Sequence, residues 1–564
     1  MRKIVMALAL VMAIFIAFTG CQKKEASAGG GGGAVAGFGA RTDGPNYWWV
    51  KFDQPVTIHV VNQERPQTPF MAGDDVTRNE WTRAFKDQLN VEVVTDWVAP
   101  TANYMERVNL AIAAKEIPDA FRVNPSQFRQ LVDAGLVADI TDYIENNCSD
   151  MVKAIINSAP VVTETAKING RFMGLPRYGY GDLWMLNLLW IRHDWMTKAG
   201  LSEPKSFEDL EKIMDTFMAA HPGSYGFGLR KTLDEFFYLA SAFGSLPSSP
   251  GVQGIWIPGP DGKLMYGSTM PEMKLALEKF TEWYRKGYLR RDFTALTDRE
   301  VIEDIASEKL GIHAGQNWMG WPYTDAVKAL ITTYGMDAYM EPYSIPSAIP
   351  GKPHIYPMPI DNSDYIVINK NYNNIPAVLK CISYTAWVCM EATTQGGLTE
   401  EQVFRYLLGG EGRHDMSMLE LNDPYGNGPA LVEWAHKIGL NNYQITEEPM
   451  TSEWPAQYEQ AAPWWRDNDI VGYGRWIQQY NPRSSAWLNL EIINEGRYVP
   501  TRLTGALPED VVSYSSLLDD ILIEGFTRII VGEMPLSYFD TLIAEWKAAV
   551  GDEVTQAVNR DYGN

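Results

Sequence analysis

A group of aromatic residues in the middle of the chain is the first feature that could perform chemistry. Residues 308–323, EKLGIHAGQNWMGWPY, contain Trp318, Trp321 and three glycines. Such a sequence favours neither a helix nor a continuous strand, so the tryptophans are predicted on a loop after a short strand at 310–314. Exposed indole faces can cover the apolar CH faces of sugar rings, while polar neighbours bond the hydroxyl groups. The alternative is that these rings fill a core between domains.

A second aromatic stretch lies nearer the carboxyl terminus. Trp464 and Arg466 precede a segment of low regularity, 474–487, that contains Trp476. These residues are predicted to form a second wall of the same kind, with the same alternative of a core between domains.

Polar residues follow one of the predicted strands. Residues 120–123 read as a buried strand, and Asn124 comes directly after it, next to Pro125. Ligands of open α/β sheets meet the carboxyl ends of the strands. Arg122 and Asn124 are therefore predicted near a cleft, the alternative being a solvated loop with a local Asn-Pro turn.

One stretch, 167–214, organises the elements that must position these residues. Asn169-Gly170 predicts a tight hairpin, followed by an extended strand and a loop at 178–182. An apolar run then leads to a short helix that Gly200 can end, and Ser206 is the predicted N-cap of the next helix. The candidate ligand-binding residues of this stretch are Arg177, Tyr180, Asp182 and Trp184.

Strands alternate with helices before this stretch. The runs at 56–62 and 91–98 are β-like, and the runs at 74–89 and 103–115 have helical periodicity. This alternation predicts βα units, an α/β fold and a largely parallel sheet.

Catalytic motifs are absent from the sequence. It has no G-x-S-x-G, G-x4-G-K-[ST], H-E-x-x-H or C-x-x-C, and its seven histidines are scattered. Because a glycoside hydrolase needs only two carboxylates that the fold brings together, a secreted glycan-acting enzyme stays an alternative. A surface adhesion protein is another. The main prediction is that the protein is not an enzyme and uses no cofactor.

Charge and composition bound the partners. The net charge is −22, which argues against nucleic acid because no basic stripe is available to neutralise phosphates. Residues 422–429, NDPYGNGP, are rich in oxygen ligands but lack the complete ligand series of a calcium-binding EF-hand. A simple turn is predicted there, and no metal site.

The amino terminus predicts export and anchoring. Residues 1–20 combine Arg2-Lys3 with an apolar core too short to span a bilayer, as in a signal peptide. The Gly20-Cys21 junction resembles a lipobox, which implies cleavage before Cys21 and its lipidation; a plain secretory signal is the alternative. Residues 21–48 include five consecutive glycines and are predicted to be a flexible tether.

The order NGRFMGLP, WIRHDWMTKAGL and SFEDLEKIMDTF resembles the family 1 extracellular solute-binding proteins, specifically the large LplA-like lipoproteins that feed oligosaccharides to ABC importers. The carboxyl-terminal sequence FTRIIVGEMPLSYFDTLIAEWKAAVG resembles the ending of the same family. The resemblance implies the periplasmic-binding-protein type II fold, in which two lobes joined by a hinge hold the ligand in a cleft between them. It also implies an ABC transporter permease as partner and a location on the extracytoplasmic face of the cell membrane.

This resemblance gives the expected division of the chain. The first lobe is expected to combine 49–168 with a return segment, 361–470. The second lobe is expected to contain 169–360, with 471–564 packing mainly on it. Stacking is expected from Trp318, Trp321, Trp464 or Trp476, and hydrogen bonds to the ligand from Arg122, Asn124, Arg177, Asp182 and Arg466.

Overall fold

The computed structural model describes most of the chain beyond the amino-terminal segment. The described residues are 49–64, 70, 73–178, 183, 185–249, 254–360, 362–390, 419, 421, 428–450, 453–505, 507–508 and 510–563. Residues 1–48 lie outside this set, so the expected signal peptide, the tether and Cys21 are predictions from sequence alone.

The strands of the described residues run in chain order as follows: β1 Val56–Glu64, β2 Val91–Pro100, β3 Ala120–Val123, β4 Lys167–Ile168, β5 Arg171–Phe172, β6 Leu175–Tyr178, β7 Asn187–Arg192, β8 Trp256–Pro258, β9 Leu264–Tyr266, β10 Ile312–Gln316, β11 Met340–Tyr343, β12 Tyr356–Met358, β13 Asn362–Ile368 and β14 Tyr498–Pro500.

The α-helices of the same residues are α1 Glu80–Ala84, α2 Thr101–Ala114, α3 Pro125–Asp133, α4 Thr141–Asn147, α5 Asp150–Ser158, α6 Pro160–Thr165, α7 His193–Ala199, α8 Phe207–Ala220, α9 Asp234–Ala240, α10 Met273–Lys286, α11 Asp298–Ala306, α12 Thr324–Tyr334, α13 Ile375–Met390, α14 Pro429–Leu440, α15 Glu453–Asp467, α16 Tyr473–Arg475, α17 Ser485–Asn494, α18 Ser515–Ile530, α19 Tyr538–Trp546 and α20 Asp552–Tyr562. A 3₁₀ turn, Asn317–Gly320, follows β10, and a π-helical turn, Trp476–Tyr480, continues α16.

The local predictions around 167–214 are confirmed. Strands β4 and β5 pair antiparallel across Asn169 and Gly170, whose φ angles are 52° and 77°. Two positive φ angles are what a type I′ hairpin turn requires, and Asn-Gly accommodates them best. Gly200 ends α7 with a φ of 62°, and the Ser206 side chain accepts a hydrogen bond from Asp209 N at the start of α8.

The first sheet has β13 at its centre, between β3 and β6. Tyr365 of β13 lies opposite Val123 on one side and Pro176 on the other, and both pairings are antiparallel. Strands β1 and β2 pair in parallel beside them, as the sequence predicts. The prediction of a largely parallel sheet is wrong for the rest, because β13 is not delivered by a βα crossover. It enters from the opposite direction after the chain has passed through residues 179–361.

The second sheet has β7 at its centre. Strands β10 and β11 flank it, both antiparallel, with Gln316 opposite Asn187 and Tyr343 opposite Leu189. Every side chain from Leu188 to Arg192 is buried, as expected for a strand covered on both faces. The carboxyl ends of β10 and β11 therefore lie at the same edge of this sheet, where β7 begins.

Buried apolar side chains separate into distinct clusters. Two clusters draw their buried members from 58–175 and 365–421, and a much larger one draws them from 186–358 and 431–558. The chain passes from one group of cores to the other between 175 and 186, between 358 and 365, and between 421 and 431. These separate cores fit an organisation in two lobes.

One expected boundary needs correction. Residues 361–470 were expected to return as a whole to the first lobe, but α14 and α15 belong to the larger cluster through Trp434, Trp454 and Trp464. Their apolar faces pack on the π-helical turn and α17, while Ala456 of α15 also contacts a core of the first group. The return segment therefore ends before 428.

Membrane spans were sought among the described residues. No helix there is long and apolar enough to cross a bilayer.

Candidate functional site

The edge of the second sheet at which β10 ends presents an exposed tryptophan. The 3₁₀ turn Asn317–Gly320 begins directly after Gln316, and the Trp318 side chain is 44% exposed. Gly320 lets this turn approach the π-helical turn, since a Cβ there would lie 2.4 Å from Ile477 Cγ2. The Trp318 side chain is thus exposed, while the backbone of its turn packs against the π-helical turn. That Trp318 contacts a ligand stays a prediction.

Trp321 is held more tightly than Trp318. Its indole N–H donates to Gln478 Oε1 at 3.1 Å, and the Arg475 guanidinium lies 5.2 Å from the ring centroid. A Cβ on Gly474 would lie 2.7 Å from the same ring. Trp321 is therefore half-buried against the segment 474–478, and its main role in this structure is to fix the turn that carries Trp318.

Buried amides surround Leu183, where the chain enters the second group of cores. Asn489 Nδ2 and Asn317 Nδ2 both donate to Leu183 O, at 2.8 and 3.4 Å. Ser485 Oγ donates to Asn317 O at 2.6 Å. The Oδ1 atoms of Asn187, Asn317 and Asn489 are buried and have no donor among the described residues. Since Asn317 and Asn489 are fully buried, their hydrogen bonds fix the backbone at Leu183 and the Trp318 turn from inside the protein.

A buried polar relay supports the same turn from inside. Tyr323 OH lies 2.6 Å from His313 Nδ1, and His313 Nε2 lies 3.1 Å from Glu235 Oε1. Burial favours the neutral Glu235 carboxyl, but the hydrogen bond from His313 and the charge of Arg230 outweigh it and lower the Glu235 pKa. The relay joins His313, near the start of β10, to Tyr323, three residues past the turn, and so fixes the segment 313–323 that contains Trp318.

The first sheet contributes two arginines and one carboxylate. Arg122 of β3 is 4% exposed, and Arg177 Nη1 of β6 lies 3.8 Å from Asp364 Oδ2 of β13. Tyr104 OH donates to Arg122 O at 3.2 Å, and burial raises the Tyr104 pKa. Strands β3 and β6 end, and β13 begins, at the sheet edge that carries these two arginines. Ligands of α/β proteins bind at the carboxyl ends of strands, so Arg122 and Arg177 lie where binding groups are expected.

Several predicted site residues have structural roles instead. Asn124 caps α3, because its side chain accepts from Gln127 N at 2.8 Å while Gln127 Oε1 accepts from Asn124 N at 3.1 Å. Arg466 forms an ion pair with Glu459 at 2.7 Å on the surface of α15, with its guanidinium 5.1 Å from the Tyr458 ring centroid. The structure does not bring Arg466 to either sheet edge described above.

The prediction for Trp464 and Trp476 needs correction. Each is only 5% exposed, and their rings stack with centroids 4.8 Å apart at 24°. Tyr339 meets both rings edge-on, at 6.2 and 5.2 Å, and Trp476 Nε1 donates to Tyr443 OH at 3.0 Å. Protein side chains therefore cover these rings, and the core alternative describes them.

Three further predicted residues, Tyr180, Asp182 and Trp184, lie outside the described residues. The structure adds residues that the sequence interpretation missed: Asn187, Asn317, Gln478, Asn489 and Asp364. Asn317 had a readable signal, since it stands beside Trp318 directly after a β-like run. Asn489 stands between two leucines in a mostly apolar helix, and only the tertiary contact with Leu183 reveals its role.

Metal sites were sought among the described residues. No group of three or more His, Cys, Asp and Glu side chains there is arranged to hold a metal ion.

Known proteins share this sequence pattern. The chain is 23% identical to the Lipoprotein LipO of Bacillus subtilis (strain 168) over 239 residues, 41% of this chain and 45% of LipO. It is 22% identical to the fructooligosaccharide ABC transporter substrate-binding protein FusA of Streptococcus pneumoniae serotype 4 over 235 residues, 39% of this chain and 43% of FusA. The matched regions thus span less than half the length of these curated relatives.

The fold is also shared with a solved structure. The crystal structure of the alginate-binding protein AlgQ2 without calcium ion superposes with a TM-score of 0.59 at 14% identity, covering 92% of this chain and 100% of that one. This likeness shows the fold, which is of the periplasmic-binding-protein type that the sequence predicts. The sequence model of the bacterial extracellular solute-binding proteins matches residues 74–386, more than half of the chain. The chain belongs to the bacterial extracellular solute-binding protein family.

Proposed function

We propose that this protein is a lipid-anchored receptor on the extracytoplasmic face of the cell membrane, which captures an oligosaccharide and delivers it to the permease of an ABC transporter. The observation that carries the proposal is the sheet edge around Trp318. An exposed indole at a sheet edge matches a sugar, whose ring faces are apolar. FusA, a relative named for binding fructooligosaccharides, supports the same class of ligand, and the family supports binding of a solute.

The separate apolar cores support a mechanism in which two lobes close on the ligand. We assign the described residues of 49–178 and 362–421 to the first lobe and those of 183–360 and 428–563 to the second. The ligand would lie between Arg122 and Arg177 on one side and Trp318 on the other. Closure buries the ligand and adds contacts that the open form lacks, so the ligand shifts the population towards the closed form. The permease then recognises that closed form.

The anchor follows from the amino-terminal sequence. Lipidation at Cys21 would attach the protein to the membrane, and the Gly-rich residues 21–48 would let the lobes reach a permease without fixing their orientation. A lipoprotein among the relatives supports this arrangement.

The test is a titration of the full chain with a panel of neutral and acidic oligosaccharides by calorimetry and thermal shift. We expect saturable one-to-one binding by a member of the panel and an increase in stability of about 2.7 kcal/mol at a ligand concentration of 100 Kd. Chromatography should recover the ligand unchanged, whereas shortened products would instead indicate a glycan-acting enzyme. Absence of saturable binding across the panel would contradict the proposal.

A further inference from the structure

A pocket of about 420 Å³ opens in the second group of cores, beside the edge that carries Trp318. It begins where β11 ends, with Ser344, Ile345, Pro346 and Ser347 in its wall. Because β10 and β11 are both antiparallel to β7, their carboxyl ends share one sheet edge. The pocket and the Trp318 turn therefore lie along the same edge.

Helix α17 lies between the two features. Ser485 and Asn489 of this helix bond Asn317 O and Leu183 O, on the side of the Trp318 turn. Leu488 and Glu491 of the same helix line the pocket. The ten-residue helix α17 thus contributes to the Trp318 turn and to the pocket. A chain of linked sugar rings is long enough to contact the turn and the pocket together.

The pocket carries more cationic than anionic side chains, although the whole protein is strongly acidic. The charged residues of its lining are four basic and two acidic side chains: Lys205, Lys352, Arg483, Arg497, Glu203 and Glu491. His354, also in the lining, is neutral near pH 7 because burial lowers its pKa to about 3. Burial also raises the Glu491 pKa.

Part of this positive charge is already paired. Glu203 Oε2 lies 3.1 Å from Arg483 Nη2 and 3.0 Å from Lys205 Nζ, and Arg497 pairs with Glu495 at 2.5 Å. Arg483 Nε is buried and has no hydrogen-bond partner among the described residues. Over the same part of the chain, the structure records no ion pair for Lys352. The Arg483 side chain is 39% exposed and Lys352 is exposed, so both can still donate to an anion in the pocket.

The remaining lining favours an organic anion over a simple ion. Pro204, Pro346, Pro353 and Leu488 give apolar surfaces, and Ser344 and Ser347 give hydroxyl groups. A volume of about 420 Å³ falls within the range of small-molecule sites and exceeds what one small ion fills. Planar guanidinium groups match carboxylates in geometry as well as in charge.

We propose that this pocket is a subsite for a carboxylate-bearing sugar ring, with Arg483 and Lys352 as its anion-binding groups. As a part of the oligosaccharide site, the subsite rests on the proposed function and makes the preferred ligand an acidic saccharide. The same chemistry also fits a free uronic acid, so the experiment separates the two sources.

The experiment compares each acidic oligosaccharide with its methyl ester, which keeps the skeleton and loses the charge. Galacturonate, glucuronate and mannuronate oligomers and their esters are titrated into the full chain by calorimetry. We expect the acid to bind about 10- to 100-fold more tightly than the ester, as for hydrogen bonds to a charged group. Arg483→Met and Lys352→Met should each reduce that ratio, and Lys352, being exposed, can be replaced without disturbing the fold.

Arg528→Met is the matched control. Arg528 also pairs with a glutamate, Glu533 at 2.9 Å, and lies over a tyrosine ring, Tyr538 at 5.7 Å, as Arg483 lies over Tyr343 at 4.7 Å. This variant should keep the full preference for the acid. If free galacturonate binds and the Arg483→Met variant loses that binding, the pocket is a site for a free acid. If only oligomers bind, the pocket is a subsite of the oligosaccharide site. Sulfate should not compete with either ligand.

The outcomes are separable. Esters and acids of equal affinity, or a preference for the acid that persists in both variants, would overturn the subsite while leaving an oligosaccharide receptor in place. If no oligomer of either kind binds, the proposed function fails as well.

Discussion

Two tryptophan-bearing regions of the second group of cores look alike in sequence and differ in the structure. Trp318 and the Trp464–Trp476 pair all lie in or beside irregular, glycine-containing stretches, and all are predicted as ligand walls. Trp318 is 44% exposed, whereas Trp464 and Trp476 are each 5% exposed.

The difference comes from partners that are distant in sequence. The turn of Trp318 follows a strand end, with packing only behind its backbone. The other pair is enclosed by Tyr339, 125 and 137 positions earlier in the chain, and by Tyr473. Residue type and local irregularity therefore do not determine whether an aromatic ring is available to a ligand; the elements that fold over it do.

The largest expected effect is on stability, at the buried pair. Trp476→Ala should lower the free energy of unfolding by about 3 to 5 kcal/mol, because it leaves a large cavity against Trp464 and Tyr339. Guanidinium denaturation followed by circular dichroism measures the change. Trp318→Ala serves as the comparison and should cost less than about 0.5 kcal/mol, as a surface substitution does. Equal losses in the two variants would break the distinction between the regions.

The reverse pattern is expected for ligand affinity. Trp318→Ala should weaken oligosaccharide binding by about 1 to 3 kcal/mol, because the variant loses one large contact face. Calorimetry with the tightest ligand of the panel gives the value. Tyr143→Ala removes another exposed ring, 38% accessible and carried by α4 in the first group of cores, and should leave affinity unchanged. An unaltered titration of the Trp318 variant would remove this residue from the site.

Gly474 connects the two regions, since it lies under Trp321 and two positions before Trp476. Gly474→Ala should destabilise the protein by about 1 to 3 kcal/mol, because its Cβ would lie 2.7 Å from the Trp321 ring. Combining it with Trp321→Leu should restore part of the loss, which a double-mutant cycle detects as a coupling energy. If the losses of stability in the two single variants simply add in the double variant, the contact between Gly474 and Trp321 does not couple the two regions.

The smallest effect concerns a pH-dependent contact at the edge of the buried pair. His193 stacks on Tyr339 at 4.6 Å, and its Nδ1 lies 3.0 Å from Glu341 Oε2. The hydrogen bond with Glu341 raises the His193 pKa above 6.5. Burial opposes ionisation of Glu341, but hydrogen bonds from His193 and Tyr343 outweigh it and hold the Glu341 pKa below 4.5.

The signs of these shifts define a pH window. The His193 contribution is complete below about pH 6.5 and is lost as the pH rises through the raised pKa; the Glu341 contribution is complete above about pH 4.5 and is lost on acidification. His193→Gln should therefore cost roughly 0.5 to 1 kcal/mol more at about pH 6 than at about pH 9. Thermal unfolding at the two pH values measures this, and the same loss at both would show that stacking alone holds the ring.

Much of the local structure could be predicted because short-range rules decide it. The Asn169-Gly170 hairpin, the end of α7 at Gly200 and the N-cap at Ser206 each depend on residues within a few positions. In helix α10 the residues Met273, Leu277, Phe280 and Trp283 fall on one stripe at helical spacing, and all four are buried. The fold followed from a resemblance in sequence that the family match confirms.

The site could be predicted only in part. Arg122 is predicted at the end of a strand and Trp318 after one, and the structure has both at sheet edges; their contact with a ligand stays a prediction. Asn124 caps α3, and the sequence leaves a local turn open there because a cap and a ligand-binding amide look the same in sequence. Asn489 and Asp364 were missed because their importance depends on Leu183 and Arg177, which are distant along the chain.

The position of β13 sets an order of assembly. Strands β7, β10 and β11 are complete once residue 343 has been synthesised, whereas β3 and β6 have no strand between them until residue 368 follows. Domains usually fold from the amino terminus onward as the chain emerges. Until β13 follows, β3 and β6 lack the strand that pairs with both of them. A chain that stops short of β13 therefore has one complete sheet and one whose unpaired strand edges are open to aggregation.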